Sequence, residues 1–182
     1  SPALKKATPA AVAVTTQQVV RRLYPGGGSS PREELLRRFF GLPLLNNARV
    51  EEEMVPAGIG SGVIVSPEGH TITNAHVITD PRTGKLVEEV TVQLSDKRQF
   101  QAKIIGFDRS TDVAVLKIED DKPFPHVTLA NSDHLEVGDI VFAAGNPLGI
   151  GMTVTMGIIS ATKKSELGVL DLEGSYENFI QT

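Results

Sequence analysis

The sequence predicts an all-β protein, a barrel or a sandwich, with short helices near the N-terminus. Three observations carry that prediction. From residue 59 onward, runs rich in Val, Ile and Thr recur at hairpin spacing. Gly, Pro and Asp turns punctuate these runs, and they do not alternate with the helical stretches an α/β protein needs. No internal repeat of fixed period is present.

The elements follow in order. Ser1 can cap a brief turn carrying Leu4, and Ala11-Val12-Ala13-Val14-Thr15 then sets β-branched residues at period two. Tyr24-Pro25-Gly26-Gly27-Gly28-Ser29 is a loop by composition. A compact helix is expected next, with Ser30 as N-cap, Pro31 at its first position and Glu33 completing a capping box. Leu35, Leu36, Phe39 and Phe40 form its apolar stripe, Gly41 closes it and Pro43 bars its continuation. Arg21-Arg22 and Arg37-Arg38 read as solvated pairs, and Glu51-Glu52-Glu53 as a solvated loop. Val63-Ile64-Val65 and Thr71-Ile72-Thr73 flank Pro67-Glu68-Gly69, a hairpin connection. Val90, Val92 and Leu94 alternate with polar residues, and Ser95-Asp96-Lys97 turns the chain into Phe100, Ala102 and Ile104. Val113 to Ile118, Ile140 to Ala144 and Thr153 to Ser160 supply the remaining strands.

The bulk numbers narrow the function. A chain of 182 residues, 40% hydrophobic and 22% charged, can bury a substantial core. A net charge of −4 without a basic stripe gives no support for nucleic-acid binding. The absence of cysteine removes disulfides, thiol nucleophiles and cysteine zinc sites. No apolar run reaches the ~20 residues of a membrane helix, and Ser1-Pro2-Ala3-Leu4-Lys5-Lys6 is not an export leader.

The glycine motifs do not bind nucleotides. Gly58-Ile59-Gly60-Ser61-Gly62 lacks the spacing of a dinucleotide fingerprint or a P-loop, and strand follows it. Its glycines suit close packing of a bent strand, and Ser61 lacks the setting of a nucleophile elbow. Gly145-Asn146-Pro147-Leu148-Gly149-Ile150-Gly151 reads as a bend between two strands. Among His70, His76, His126 and His134 no pair has the i, i+4 spacing of a helical metal site, so neither a metal nor a cofactor is expected. His76 stands out within Thr73-Asn74-Ala75-His76-Val77. A general base needs one ring nitrogen facing a hydroxyl and the other held by a carboxylate. Asp112, at the mouth of the apolar run Val113 to Ile118, suits that role, whereas Asp108 reads as a turn residue paired with Arg109.

Taken together these segments resemble the HtrA/Deg family of trypsin-like serine endopeptidases. The resemblance rests on Gly60-Ser61-Gly62-Val63-Ile64-Val65, Thr73-Asn74-Ala75-His76-Val77-Ile78, Thr111-Asp112-Val113-Ala114-Val115-Leu116-Lys117, Gly145-Asn146-Pro147-Leu148-Gly149 and Tyr176-Glu177-Asn178-Phe179-Ile180-Gln181-Thr182, in the family's order. It implies a chymotrypsin-like double β-barrel. Residues 1–20 would form an N-terminal segment, 21–56 a long early loop with a short helix, 57–125 the rest of the first barrel and 126–182 the start of an incomplete second one.

The resemblance also implies a function. His76 would be the general base and Asp112 its orienting acid in an endopeptidase that degrades unfolded or misfolded polypeptides. The family's Gly-Asn-Ser-Gly-Gly nucleophile motif, its final strands and its PDZ domain are expected beyond Thr182, so these residues alone are expected to be inactive. Ser110, Ser132, Ser160, Ser165 and Ser175 do not lie in the nucleophile's context. A non-catalytic β-barrel binding or chaperone module is the alternative. Lys163 to Gly174 would be a mobile activation loop or an ordinary hairpin loop, a homotrimer the assembly, and the periplasm or another exported compartment the location.

Overall fold

A computed structural model describes residues 2–24, 39, 49–81, 83–146, 151–164 and 179–182. The chain opens with α1 (Pro2–Ala7) and a 3-10 turn at Thr8–Ala10, where Thr8 Oγ1 donates to the Leu4 carbonyl. Eleven strands follow among the described residues: β1 (Ala11–Tyr24), β2 (Arg49–Ile64), β3 (His70–Thr73), β4 (Glu89–Gln93), β5 (Gln99–Gln101), β6 (Lys103–Asp108), β7 (Val113–Lys117), β8 (Ile140–Gly145), β9 (Thr153–Ile158), β10 (Ala161–Lys164) and β11 (Phe179–Gln181). The expected Ser30–Gly41 helix lies outside the described residues except for Phe39, and so does most of the Lys163–Gly174 loop.

Two compact units divide the chain, residues 1–17 with 56–182, and residues 18–55. In the larger unit the seven-stranded sheet has the order β5-β4-β1-β2-β3-β7-β6, and β8–β9 and β10–β11 are separate antiparallel pairs. The strands at the two edges of the sheet, β5 and β6, are consecutive in sequence with only Ala102 between them. The sheet must therefore curl far enough to bring one end of each edge strand together at Ala102, a half-barrel. The Ala102 N–H donates to the Val90 carbonyl at 2.8 Å and ties that corner.

Alternation drives the packing. In β4 and β7 every second side chain is buried, so Val90, Val92, Ala114 and Leu116 point inward. They join Val12, Val14, Ile64, Ile78, Leu94, Ile118 and Phe124 in one core. Each large member contributes about 1.5–3 kcal/mol by leaving water. Phe100 meets Phe124 edge to face at 5.2 Å, and the Arg98 guanidinium covers the Phe100 ring at 5.5 Å.

Close contacts account for glycine at the β2–β3 turn and within β2. Gly69 has φ +93°, and a Cβ there would strike the Ile118 carbonyl and the Phe124 ring. A Cβ on Gly60 would sit 2.5 Å from Val77 Cγ2, so the bent strand packs as its glycines suggested.

In the smaller unit, Glu51-Glu52-Glu53 is part of β2 rather than a loop. Arg21 Nε pairs with Glu52 Oε1 at 2.9 Å and Arg22 Nε with Glu53 Oε2 at 3.4 Å. Opposite charges across two strands offset the repulsion that made the acidic run look like loop. Such exposed pairs add at most about 1 kcal/mol each.

Candidate active site

The pairing of β3 with β7 builds the site. His70 lies opposite Lys117 and Thr73 opposite Ala114. Extending that register two residues beyond Thr73 brings Ala75 to Asp112, where the Ala75 N–H donates to the Asp112 carbonyl at 3.2 Å. At this point β3 passes into a 3-10 turn, Ala75–Val77, that carries His76. Asp112 closes the β6–β7 turn with φ +54°, in the left-handed region that aspartate tolerates better than most residues.

The two predicted residues meet. Asp112 Oδ2 accepts from His76 Nδ1 at 2.7 Å, and Oδ1 accepts from the His76 backbone N–H at 2.9 Å. The Asp112 side chain is 16% exposed and the His76 side chain 71% exposed. With Nδ1 donating to the carboxylate, the neutral imidazole presents Nε2 as an acceptor. A carboxylate that fixes one tautomer and stabilises the imidazolium formed after proton uptake is the orienting half of a serine-hydrolase charge system.

Asn74 is a partner the sequence did not single out. Its Nδ2 donates to Asp112 Oδ2 at 3.0 Å and to the Asp112 carbonyl at 3.2 Å. The only sequence signal was its place beside the histidine. Asp108 is the last residue of β6, paired with Val113, rather than the turn residue expected, and its side-chain partners also differ from the expectation. Its carboxylate accepts from the Ser110 N–H at 2.9 Å, the Ser110 hydroxyl at 2.7 Å and the Thr111 hydroxyl at 3.0 Å. The Ser110 hydroxyl first, then the Ser110 N–H and the Thr111 hydroxyl, hold the Asp108 carboxyl below the usual aspartate range. Arg109 instead donates to the Gly84 carbonyl.

The remaining histidines are engaged elsewhere. His70 Nδ1 lies 2.7 Å from Ser66 Oγ across the β2–β3 turn, and His126 Nδ1 donates to the Phe124 carbonyl at 3.1 Å. His134 lies in the 3-10 turn Ser132–His134. Ser61 Oγ accepts from the Asn146 N–H at 2.9 Å, and the Gly151 N–H donates to Asn146 Oδ1 at 3.0 Å. Ser61 thus ties β2 to the end of β8. Among the described residues no serine hydroxyl bonds to His76, no group of three or more His, Cys, Asp or Glu could hold a metal ion, and no helix is long and apolar enough to cross a membrane.

A curled antiparallel sheet that brings a half-buried carboxylate to an exposed imidazole fits the class of trypsin-like hydrolases. The family model of the trypsin-like peptidase domain matches residues 60–182, and the chain belongs to that family. Its relatives are the HtrA/Deg proteases. It is 40% identical to a probable periplasmic serine endoprotease, DegP-like, of Chlamydia pneumoniae over 97% of this chain and 36% of that protein. It is 39% identical to the periplasmic pH-dependent serine endoprotease DegQ of Escherichia coli, over all of this chain and 36% of that protein. Among solved structures, the HtrA-type protease AlgW with a decapeptide aligns with TM-score 0.66 and 40% identity over 98% of this chain and 49% of that one. The chain spans about a third of the length of these curated relatives. The fold is the chymotrypsin-like one expected, a curled seven-stranded sheet together with an incomplete second barrel.

Proposed function

We propose that the protein containing this chain is a serine endopeptidase of the HtrA/Deg type, acting on unfolded or misfolded polypeptides in the periplasm or another exported compartment. His76 is its general base and Asp112 the acid that orients it. The observation that carries this reading is the 2.7 Å contact between Asp112 Oδ2 and His76 Nδ1, made by an imidazole whose side chain is otherwise 71% exposed. In the reaction, Nε2 takes the proton of a serine hydroxyl as that oxygen attacks the peptide carbonyl, then returns it to the departing amine. The nucleophile is sought elsewhere in the protein, because among the described residues Ser61, Ser66 and Ser110 bond Asn146, His70 and Asp108 rather than His76. The periplasmic names of the relatives support the compartment. A homotrimer completes the proposal and is read directly by sedimentation.

A fluorophosphonate probe tests the reaction. In the natural, longer protein the probe is expected to label one serine outside these residues, and His76→Ala to abolish labelling. Labelling that survives His76→Ala removes His76 from the mechanism. Absence of any labelled serine favours a non-catalytic binding module.

A further inference from the structure

Asparagine in front of a helical turn is ordinarily an N-cap whose side-chain oxygen accepts from an N–H of that turn. Asn74 occupies this position with extended backbone, φ −82° and ψ 145°, yet makes no side-chain cap hydrogen bond. The capping of the His76 N–H is done by Asp112 Oδ1, from the other strand. The Asn74 amide is turned to Asp112, where Nδ2 bridges the carboxylate Oδ2 and the backbone carbonyl of the same residue. The two residues have exchanged roles.

We infer that Asn74 is a positioning residue for the His76 base, acting through Asp112. This rests on the reading of His76 as base. Asp112 needs two kinds of restraint, because its backbone sits in the left-handed region at φ +54° and its carboxylate must present Oδ2 to the imidazole. One amide supplies both, holding the carbonyl and the carboxylate oxygen at the same time. Oδ2 receives two donors, His76 Nδ1 and Asn74 Nδ2, whereas Oδ1 receives one. The second donor on Oδ2 also withdraws charge from the oxygen that faces the imidazole. Asn74 therefore both fixes the direction of the Nδ1–H···O bond and tempers the pull of the carboxylate on the imidazolium proton.

The test uses the natural protein containing this chain, assayed on an unfolded protein substrate. Asn74→Ala removes the bridge, and Asn74→Asp keeps the shape while replacing both donors with acceptors. Asn74→Ala is expected to lower kcat on the order of tenfold to a hundredfold, the scale of one hydrogen bond to a charged group. KM should change little, because Asn74 touches Asp112 rather than substrate. The acid limb of the kcat/KM profile should move to higher pH in Asn74→Ala and further in Asn74→Asp, as an unshared or doubled negative charge favours the imidazolium. A role confined to folding would lower the melting temperature and leave both the pH limb and kcat per folded molecule in place, and that result overturns the inference. If Asn74→Ala does not fold, the isosteric Asn74→Asp carries the same pH test. His76→Ala is the control. Activity surviving in His76→Ala refutes the underlying reading, whereas an inactive His76→Ala beside Asn74 variants of unchanged kcat and pH limb refutes this inference alone.

Discussion

Exchanging Asp112 for Asn preserves shape and replaces one acceptor oxygen with an NH2. Three N–H groups converge on the carboxylate: His76 N–H on Oδ1, and His76 Nδ1–H with Asn74 Nδ2 on Oδ2. An amide oxygen can serve one of these edges. If it takes the Oδ2 position, the new NH2 confronts the His76 backbone N–H, which the 3-10 turn holds in place. If it takes the Oδ1 position, the NH2 confronts the imidazole and Asn74. The imidazole can then move its proton to Nε2 and accept at Nδ1, at little cost. The second arrangement wins, because a backbone donor left unsatisfied costs about 1–3 kcal/mol. In that arrangement Asn74, which is exposed to water, loses its acceptor at Oδ2, and the charge-assisted bonds become neutral ones. Asp112→Asn should therefore destabilise the fold by about 1–3 kcal/mol. The functional effect should be larger, since Nε2 now carries the proton it is meant to receive. The same exchange in the Ser-His-Asp template lowers turnover by about 10⁴. Imidazole 15N shifts of His76 separate the protonated from the bare ring nitrogen, and a denaturant titration reads the stability. A His76 that keeps its proton on Nδ1 in Asp112→Asn, with stability unchanged, would refute the claim that this carboxylate sets the tautomer.

Three further outcomes are expected. Asp108 has its pKa lowered by the Ser110 hydroxyl, the Ser110 N–H and the Thr111 hydroxyl, so it contributes stability above the ordinary aspartate value of 3.8. That contribution is lost as pH falls through the lower folded-state value. The stability gap between the native protein and Asp108→Asn should accordingly close on acidification, and a gap independent of pH would contradict the assignment. Leu116 of β7 is fully buried opposite Thr71 of β3. Leu116→Ala should cost about 2–5 kcal/mol in urea titration, and a loss well below that range would place Leu116 outside the core. Gly69→Ala combines a positive φ with contact against the Ile118 carbonyl and the Phe124 ring. It should cost more than the roughly 1–2 kcal/mol of a left-handed backbone alone, read as a fall in melting temperature, and an unchanged melting temperature would refute the steric reading.

The parts of this molecule that were legible in its sequence are those written in short-range patterns. Period-two alternation in Val90-Thr91-Val92 and the apolar run Val113 to Ile118 set strands where β4 and β7 lie. Pro67-Glu68-Gly69 fixed a turn that a positive φ at Gly69 requires. The contacts that escaped notice join residues far apart in the chain or depend on which way a short polar group turns. Ser61 and Asn146 are 85 positions apart, and nothing local to either one announces the other. The Glu51–Glu53 run reads as loop until Arg21 and Arg22 are placed across from it. Asn74 looks like a cap for its own turn, and only the left-handed Asp112 beside it reveals another task.

The encounter of His76 with Asp112 follows from the same physics that builds the core. Thr71 and Thr73 of β3 and Ala114 and Leu116 of β7 are buried together, in the pairs Thr71–Leu116 and Thr73–Ala114. A slip of one residue between these strands would turn Leu116 outward and bring Lys117 or Val115 into its place. The same slip would carry Asp112 one residue, about 3.3 Å, along the strand. That distance exceeds the 2.7 Å separating the carboxylate from the imidazole. Burial of Ala114 and Leu116 beside Thr73 and Thr71 therefore selects the register, and the register delivers the carboxylate. Residues such as Asn74 then refine a geometry whose coarse position the hydrophobic pattern had already imposed.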